Sequence, residues 1–213
     1  MACEFSGVVR EAFLAKGHDA WSCDLLPAED GSTRHYQCDV RYLLHELVMR
    51  IDGTFGPWDL MIAHPPCTYL TVSGLHWNKR RPERAAATEE AIEFVRQLLQ
   101  APIPRIALEN PVGIISTRIR RPDQIIQPYE FGHDASKRTS LWLKGLPLLW
   151  PTAYVEPRLV DGKPRWSNQT DSGQNRLGPS EDRWKLRSVT YQGIADAMAE
   201  QWGALSVTET RDL

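Results

Sequence analysis

A short apolar run that halts on two prolines constrains this chain more than any other stretch. Asp59-Leu60-Met61-Ile62-Ala63-His64-Pro65-Pro66-Cys67 opens on an acid and carries four apolar residues in a row. Four are too few for a helix and suit a buried strand. Proline has no N–H to extend a ladder, so the strand is predicted to end at His64. Cys67 then falls just past its C-terminal end. Arg105-Ile106-Ala107-Leu108-Glu109-Asn110-Pro111 repeats the pattern of apolar strand, acid and proline stop. Open α/β sheets gather their ligands outside the carboxyl ends of the strands. Cys67 and Glu109 are therefore expected at one sheet edge. A cysteine on a rigid turn there is a candidate nucleophile, and its plainer alternative is a small thiol in a tight loop. Glu109, partly desolvated, is expected to stay protonated and act as a donor; the alternative is a strand-end acid paired with a lysine or arginine.

The 213 residues suffice for one domain with a sizeable core, assigned to 1–203, with a flexible tail over 204–213. A formal net charge of −2 leaves any nucleic-acid contact to a local patch. Eight tryptophans are too many for one small core, so some should be partly exposed. Cys3, Cys23, Cys38 and Cys67 form no C-x-x-C pair and no disulfide framework, which argues against a metal site. No leader-like segment precedes them, so reduced thiols and a cytoplasmic location are expected. No run of 18 apolar residues is present, so no membrane span is expected.

The opening reads as a clipped strand ending near Phe5, a turn at Ser6-Gly7, a short helix through Ala15, and a second strand that ends on Asp24. Strand, glycine turn, helix, strand and carboxylate suit a nucleoside-type ligand, and the plainer alternative is a helix stop with an exposed Asp. Backbone amides would meet its anionic part and Asp24 its ribose hydroxyls. Asp39 either accepts from an adenine amine or caps the next helix, predicted from Tyr42, Leu43, Leu44, Leu47, Val48 and Ile51. Beyond Cys67, Trp77, Lys79, Arg80, Arg81 and Arg84 suit a loop that binds phosphates and stacks bases, or a solvated loop. A helix is predicted from Pro82 through Leu99, with Ala87, Ala91, Phe94, Val95 and Leu98 on one face. A later strand carries Lys137 and Arg138 at its start. Residues 151–188 are poor in aliphatics and read as the least structured region, with Arg165 among the basic residues of a mobile nucleic-acid surface. A last helix spans Thr190 to Trp202, its Ile194, Ala197, Met198 and Trp202 stripe reading as core.

Taken in order, these residues resemble the cytosine-C5 DNA methyltransferases, particularly their small phage- and prophage-type members. Pro65-Pro66-Cys67 is similar to the family's catalytic Pro-Cys motif, Glu109-Asn110 to its Glu-Asn motif, and Lys137-Arg138-Thr139 to the basic motif near the target base. Phe5-Ser6-Gly7 is similar to the cofactor loop, and Tyr191-Gln192-Gly193-Ile194 to the last motif, which returns to the cofactor pocket. The resemblance implies a Rossmann-like, mostly parallel sheet with helices on both faces and a truncated target-recognition region at 151–188. It implies methyl transfer from S-adenosylmethionine to cytosine C5 in DNA, through a covalent adduct of Cys67 at ring C6.

In that reading Cys67, Glu109, Pro66, Asn110 and Arg138 form the catalytic set. Arg138 holds either the cytosine carbonyl oxygen or a flanking phosphate. Phe5, Ser6, Gly7, Val8, Asp24, Leu25, Asp39, Val40, His64, Pro65, Tyr191 and Ile194 would hold the cofactor. Lys79, Arg80, Arg81, Lys137 and Arg165 would face the nucleic acid. Val9 and Arg10 depart from the family's glycines, and the short recognition segment implies loose or short-site specificity, a single-stranded target or help from a partner. The alternatives are the same chemistry on RNA or a free pyrimidine nucleotide, or a catalytically weak nucleic-acid-binding protein on a degenerate methyltransferase fold.

Overall fold

The computed structural model describes residues 1–50 and 53–205 and shows a mixed α/β fold. The tail beyond residue 205 and Ile51 lie outside the described residues. Among the described residues ten strands follow in order. They are β1 Ser22–Asp24, β2 His35–Gln37, β3 Val48–Met49, β4 Phe55–Gly56, β5 Leu60–Ala63, β6 Arg105–Pro111, β7 Gln124–Ile126, β8 Thr139–Lys144, β9 Arg158–Val160 and β10 Lys163–Arg165. The helices are α1 Val8–Ala15, α2 Val72–Leu75, α3 Pro82–Gln100, α4 Ile115–Arg118, α5 Arg183–Ser188 and α6 Gln192–Gly203.

β5, β6, β8 and β7 lie side by side in that order, and β1 pairs with β2. Ala2 bridges in parallel to Cys23 of β1 and Ala63 of β5, joining the two groups edge to edge. The first strand is thus a single bridging residue. β1–β2 and β5–β6 are parallel, whereas β8 is antiparallel to both β6 and β7. The sheet is therefore mixed, where a mostly parallel one was expected. Pro111 does not stop β6: as its last residue it still pairs with Thr139, since only an interior proline would lose a ladder donor.

Alternation along the strands buries both faces. Met61, Ile106, Leu108 and Trp142 pack with Ile92, Val95 and Leu98 of α3. Ile62, Ala107 and Leu141 pack on the other face with Val9, Ala12 and Phe13 of α1 and with Ile194, Met198 and Trp202 of α6. The stripe on the last helix is core, as its spacing suggested. The buried face of α3 is Thr88, Ile92, Val95 and Leu98, a partial overlap with the predicted one.

Two segments depart from expectation. The predicted helix at Tyr42–Val48 is a single 3-10 turn, Val40–Tyr42, followed by the antiparallel β3–β4 pair. Trp58 donates its indole N–H to Leu43 O at 3.1 Å and ties this arm back to the sheet, a tertiary contact that outweighs local periodicity. Residues 151–188, expected to be irregular, carry β9, β10 and α5. Polar bonds do there what aliphatics do elsewhere. Asn168 accepts from Ser136 N and donates to Ser136 O, both at 2.9 Å. Trp166, buried, stacks on Tyr129 at 4.2 Å.

Candidate functional site

The carboxyl ends of β5 and β6 point into adjoining turns, and those turns are knitted together. Asn110 Nδ2 donates to Pro65 O at 2.7 Å, a buried bond between the two proline-bearing turns. Ile114 N donates to Leu70 O at 2.8 Å, and Thr71 bridges Gly113. A Cβ on Gly113 would lie 2.0 Å from Leu70 O, so only glycine lets the two backbones approach this closely.

Between the turns lies a cavity of about 100 Å³. Cys67 and Glu109 both line it, together with His64, Pro65, Pro66 and Asn110. Cys3, Glu4, Phe5 and Ser6 form the wall from the first loop. Lys137, Arg187, Ser188 and Thr190 close the remaining side. The expectation that the thiol and the carboxyl share one sheet edge is met.

Glu109 departs from expectation in its charge. Burial would push its carboxyl up, but a hydrogen bond with His64 Nδ1 at 2.8 Å opposes this, as do the charges of His64 and Lys137. Thr190 Oγ1 adds a bond at 3.4 Å. The net effect lowers the group to about 2, so Glu109 is ionised rather than protonated. His64, assigned from sequence to a cofactor, is thus the partner of the acid. Its Nε2 and Asn110 Oδ1 are buried and have no hydrogen-bond partner among the described residues.

The first loop also differs from its sequence reading. Gly7 adopts a left-handed φ of 76° and caps α1. The amides at the start of α1 were expected to meet an anionic ligand. They meet Glu4 instead: its buried carboxylate accepts from Val9 N at 2.6 Å and Arg10 N at 3.3 Å. Val8 N reaches Ser6 Oγ at 3.5 Å. Arg10 is fully buried and spans the loop, donating to Ser22 Oγ at 2.6 Å and pairing with Asp30. An internal carboxylate therefore occupies the positive end of the helix.

Asp24 sits at the end of β1, where it accepts from Leu26 N at 2.9 Å; burial pushes its carboxyl up. Asp39 takes the capping role of its two alternatives, accepting from Arg41 N at 2.9 Å and clamping the Arg41 guanidinium. Leu25 is exposed, and Val40 and Ile194 are buried in the core away from the cavity. Tyr191 precedes α6, edge-on to His133 with ring centres 5.2 Å apart.

Of the two basic residues before β8, Lys137 lines the cavity and donates to Arg187 O at 2.9 Å. Arg138, expected in the catalytic set, is exposed and outside the cavity wall. Adjacent residues entering a strand face opposite ways, so only one of the pair can turn inward.

Lys79, Arg80 and Arg81 are exposed beyond Cys67: Lys79 ends a 3-10 turn, His76–Lys79, where a loop was expected, and Arg80 and Arg81 lie in the short link before α3. The Arg81 guanidinium sits 4.9 Å from the Trp77 ring centre, and Arg84 lies at the same distance from Tyr69. Arg165 is spent locally, donating to Asp171 O at 3.0 Å and Pro164 O at 2.8 Å. It does not border the cavity.

Chemically, a thiol and a carboxylate on one hollow can add a nucleophile to an electron-poor ring and handle the proton that follows. Among the described residues the four cysteines are free, and no three His, Cys, Asp or Glu side chains cluster as a metal site would require. No helix among the described residues is long and apolar enough to cross a membrane. No protein-family model matches the chain, and no curated protein matches it.

Proposed function

We propose that this chain is an S-adenosylmethionine-dependent methyltransferase acting on C5 of cytosine in DNA. The observation that carries the reading is one cavity walled by Cys67, Glu109 and the first loop, Cys3 to Ser6. The sheet order and the helices on both faces are compatible with a Rossmann-like frame.

The residues present fit a nucleoside-type methyl donor. Asp24, outside the cavity wall, ends the neighbouring strand where the proposal needs an acceptor for ribose hydroxyls, and the orphaned Asn110 Oδ1 calls for a polar partner. The buried Glu4 carboxylate suits an ammonium group better than a carboxylate, because it already fills the positive end of α1. The bound cofactor supplies an electrophilic methyl group.

Cys67, as its thiolate, forms a bond to ring C6 and moves the C5=C6 electron pair toward N3 and the ring carbonyl. C5 gains enamine character and takes the methyl group. Loss of the C5 proton to water and rupture of the C6–S bond restore the ring and the thiolate. An ionised Glu109 accepts from the C4 amine of cytosine, whereas uracil and thymine would set a carbonyl oxygen against the carboxylate. That contrast supports cytosine as the base. Lys137 holds positive charge at the cavity rim.

Trp77 with Arg81 offers a ring and a guanidinium group beyond Cys67 for the bases and phosphates of a strand, whereas Arg84 is spent on Gly74 O and Thr68 O. The small size of 151–188 suits a short or single-stranded target. A base must leave its stack to reach a cavity thiol, at a cost of a few kcal/mol in duplex.

The test is to incubate the protein with methyl-labelled cofactor and DNA of varied sequence and strandedness, then digest and identify the labelled nucleoside. The expected product is 5-methylcytosine, lost in Cys67→Ala while calorimetric cofactor binding is retained. Label in another nucleoside, or full turnover by Cys67→Ala, refutes the reading. One observation favours a second reading, a nucleic-acid-binding protein on a degenerate methyltransferase frame: the amides of α1 are already filled by Glu4. Salt-sensitive DNA binding with no calorimetric signal for the cofactor would select it.

A further inference from the structure

The acid of the cavity has a titratable partner. His64 Nδ1 lies 2.8 Å from Glu109 Oε2, and each side chain is 11% exposed. A carboxylate has no hydrogen to give, so one proton lies between these atoms. The far nitrogen of the ring, Nε2, is buried with no hydrogen-bond partner among the described residues, and so is Asn110 Oδ1 one position beyond Glu109. Buried polar atoms left so are costly, and at a functional cavity they mark where a ligand is met.

The edge of cytosine makes two demands. Its C4 amine donates, and its N3 accepts. A carboxylate answers only the amine, whereas a carboxyl group answers both. When a thiolate adds to C6, negative charge collects on N3 and the ring carbonyl, so N3 then requires a proton. We infer that His64 is the proton store for Glu109, acting as a positioning residue that charges the acid only when a base edge is docked. This rests on the cytosine-methylating reading.

The step balances. The C6–S bond forms as the C5=C6 pair moves into the ring, and the shared proton passes from His64 Nδ1 to Glu109 and on to N3, leaving a neutral imidazole that keeps its second proton on Nε2. On expulsion of Cys67 the C6–S bond breaks, and the N3 proton returns through Glu109 to His64. The net proton released is the one from C5, which leaves to water. The other titratable groups facing the pair are Lys137, Arg187, Glu4, Cys3 and Cys67, drawn from the other walls of the cavity.

His64→Gln keeps an N–H for Glu109 but removes the dissociable proton, and His64→Asn serves if that variant misfolds. The first readout needs no methyl donor: exchange of the cytosine C5 hydrogen with deuterated water on a single-stranded oligonucleotide. It follows from reversible thiolate addition. The second is methyl transfer. Both are measured from about pH 5 to about pH 9. The expected result is a fall of roughly 10²-fold in both rates with a flattened pH profile, while KM for the oligonucleotide changes little. Wild-type exchange and methylation, with a His64→Gln profile superimposable on the wild type, overturn this inference alone. If the wild type neither exchanges C5 hydrogen nor methylates cytosine, the methyltransferase reading falls and this inference falls with it.

Discussion

Asn110→Ala should loosen the turn that carries Cys67. The side chain is 2% exposed, and its Nδ2 donates to Pro65 O at 2.7 Å. That carbonyl precedes Pro66, which has no N–H, and the turn offers it little else. Truncation leaves a buried acceptor unpaired, which costs about 1–3 kcal/mol. Taking about 2 kcal/mol, a chain of this size loses roughly 4–8 °C in Tm. Asn110→Asp holds the volume but sets a carboxylate against the carbonyl, so its loss should be the larger of the two. Thermal unfolding followed by circular dichroism reads the magnitude, and hydrogen exchange by mass spectrometry reads the place. Peptides covering 60–71 should exchange faster, while those from the middle of α3 stay as protected as before. A Tm within about 1 °C of wild type for both variants would mean the bond contributes almost nothing in solution. The coupling of the two turns would then need another cause.

Gly113→Ala should destabilise more than Asn110→Ala, because its Cβ would meet backbone at Leu70 rather than a flexible side chain; urea unfolding tests the order. Lys137→Ala should weaken methyl transfer on cytosine DNA by roughly 10-fold or more, and Arg138→Ala by much less, since Lys137 lines the cavity and Arg138 does not; equal losses would refute the assignment. Glu109 also links stability to pH. Its group is lowered from 4.5 to about 2 in the folded chain, so its contribution is present above about pH 4.5 and is lost as the pH falls toward 2. On the order of 3 kcal/mol is involved. Glu109→Gln should remove that part of the acid slope in unfolding experiments, and an unchanged slope would contradict the buried pair.

Much of this architecture was legible in the chain itself, for identifiable reasons. The strand before Pro65 announces itself because a proline cannot feed an interior ladder, and the strand through Glu109 by its short apolar run, although that strand goes on through Pro111. Pro82 at the start of α3 and the Ile194, Met198 and Trp202 stripe of α6 are signals of the same local kind. From two such strands the meeting of Cys67 and Glu109 follows as topology. Residues 42–48 show where local pattern fails: their helical spacing yields to Trp58, which anchors the arm from 15 positions away.

The amino-acid order by itself determined which residues stand at the ends of the strands, because backbone sterics and side-chain alternation act over a few positions. Only the tertiary structure decided their chemical state. His64 and Glu109 are 45 positions apart, and no periodicity announces that one would hold the other ionised. Glu4 capping α1, Lys137 rather than Arg138 at the rim, and the orphaned nitrogen of His64 arise in the same way. Charge and hydrogen bonding depend on distance through space and on exclusion of water, and both exist only once the chain has closed on itself.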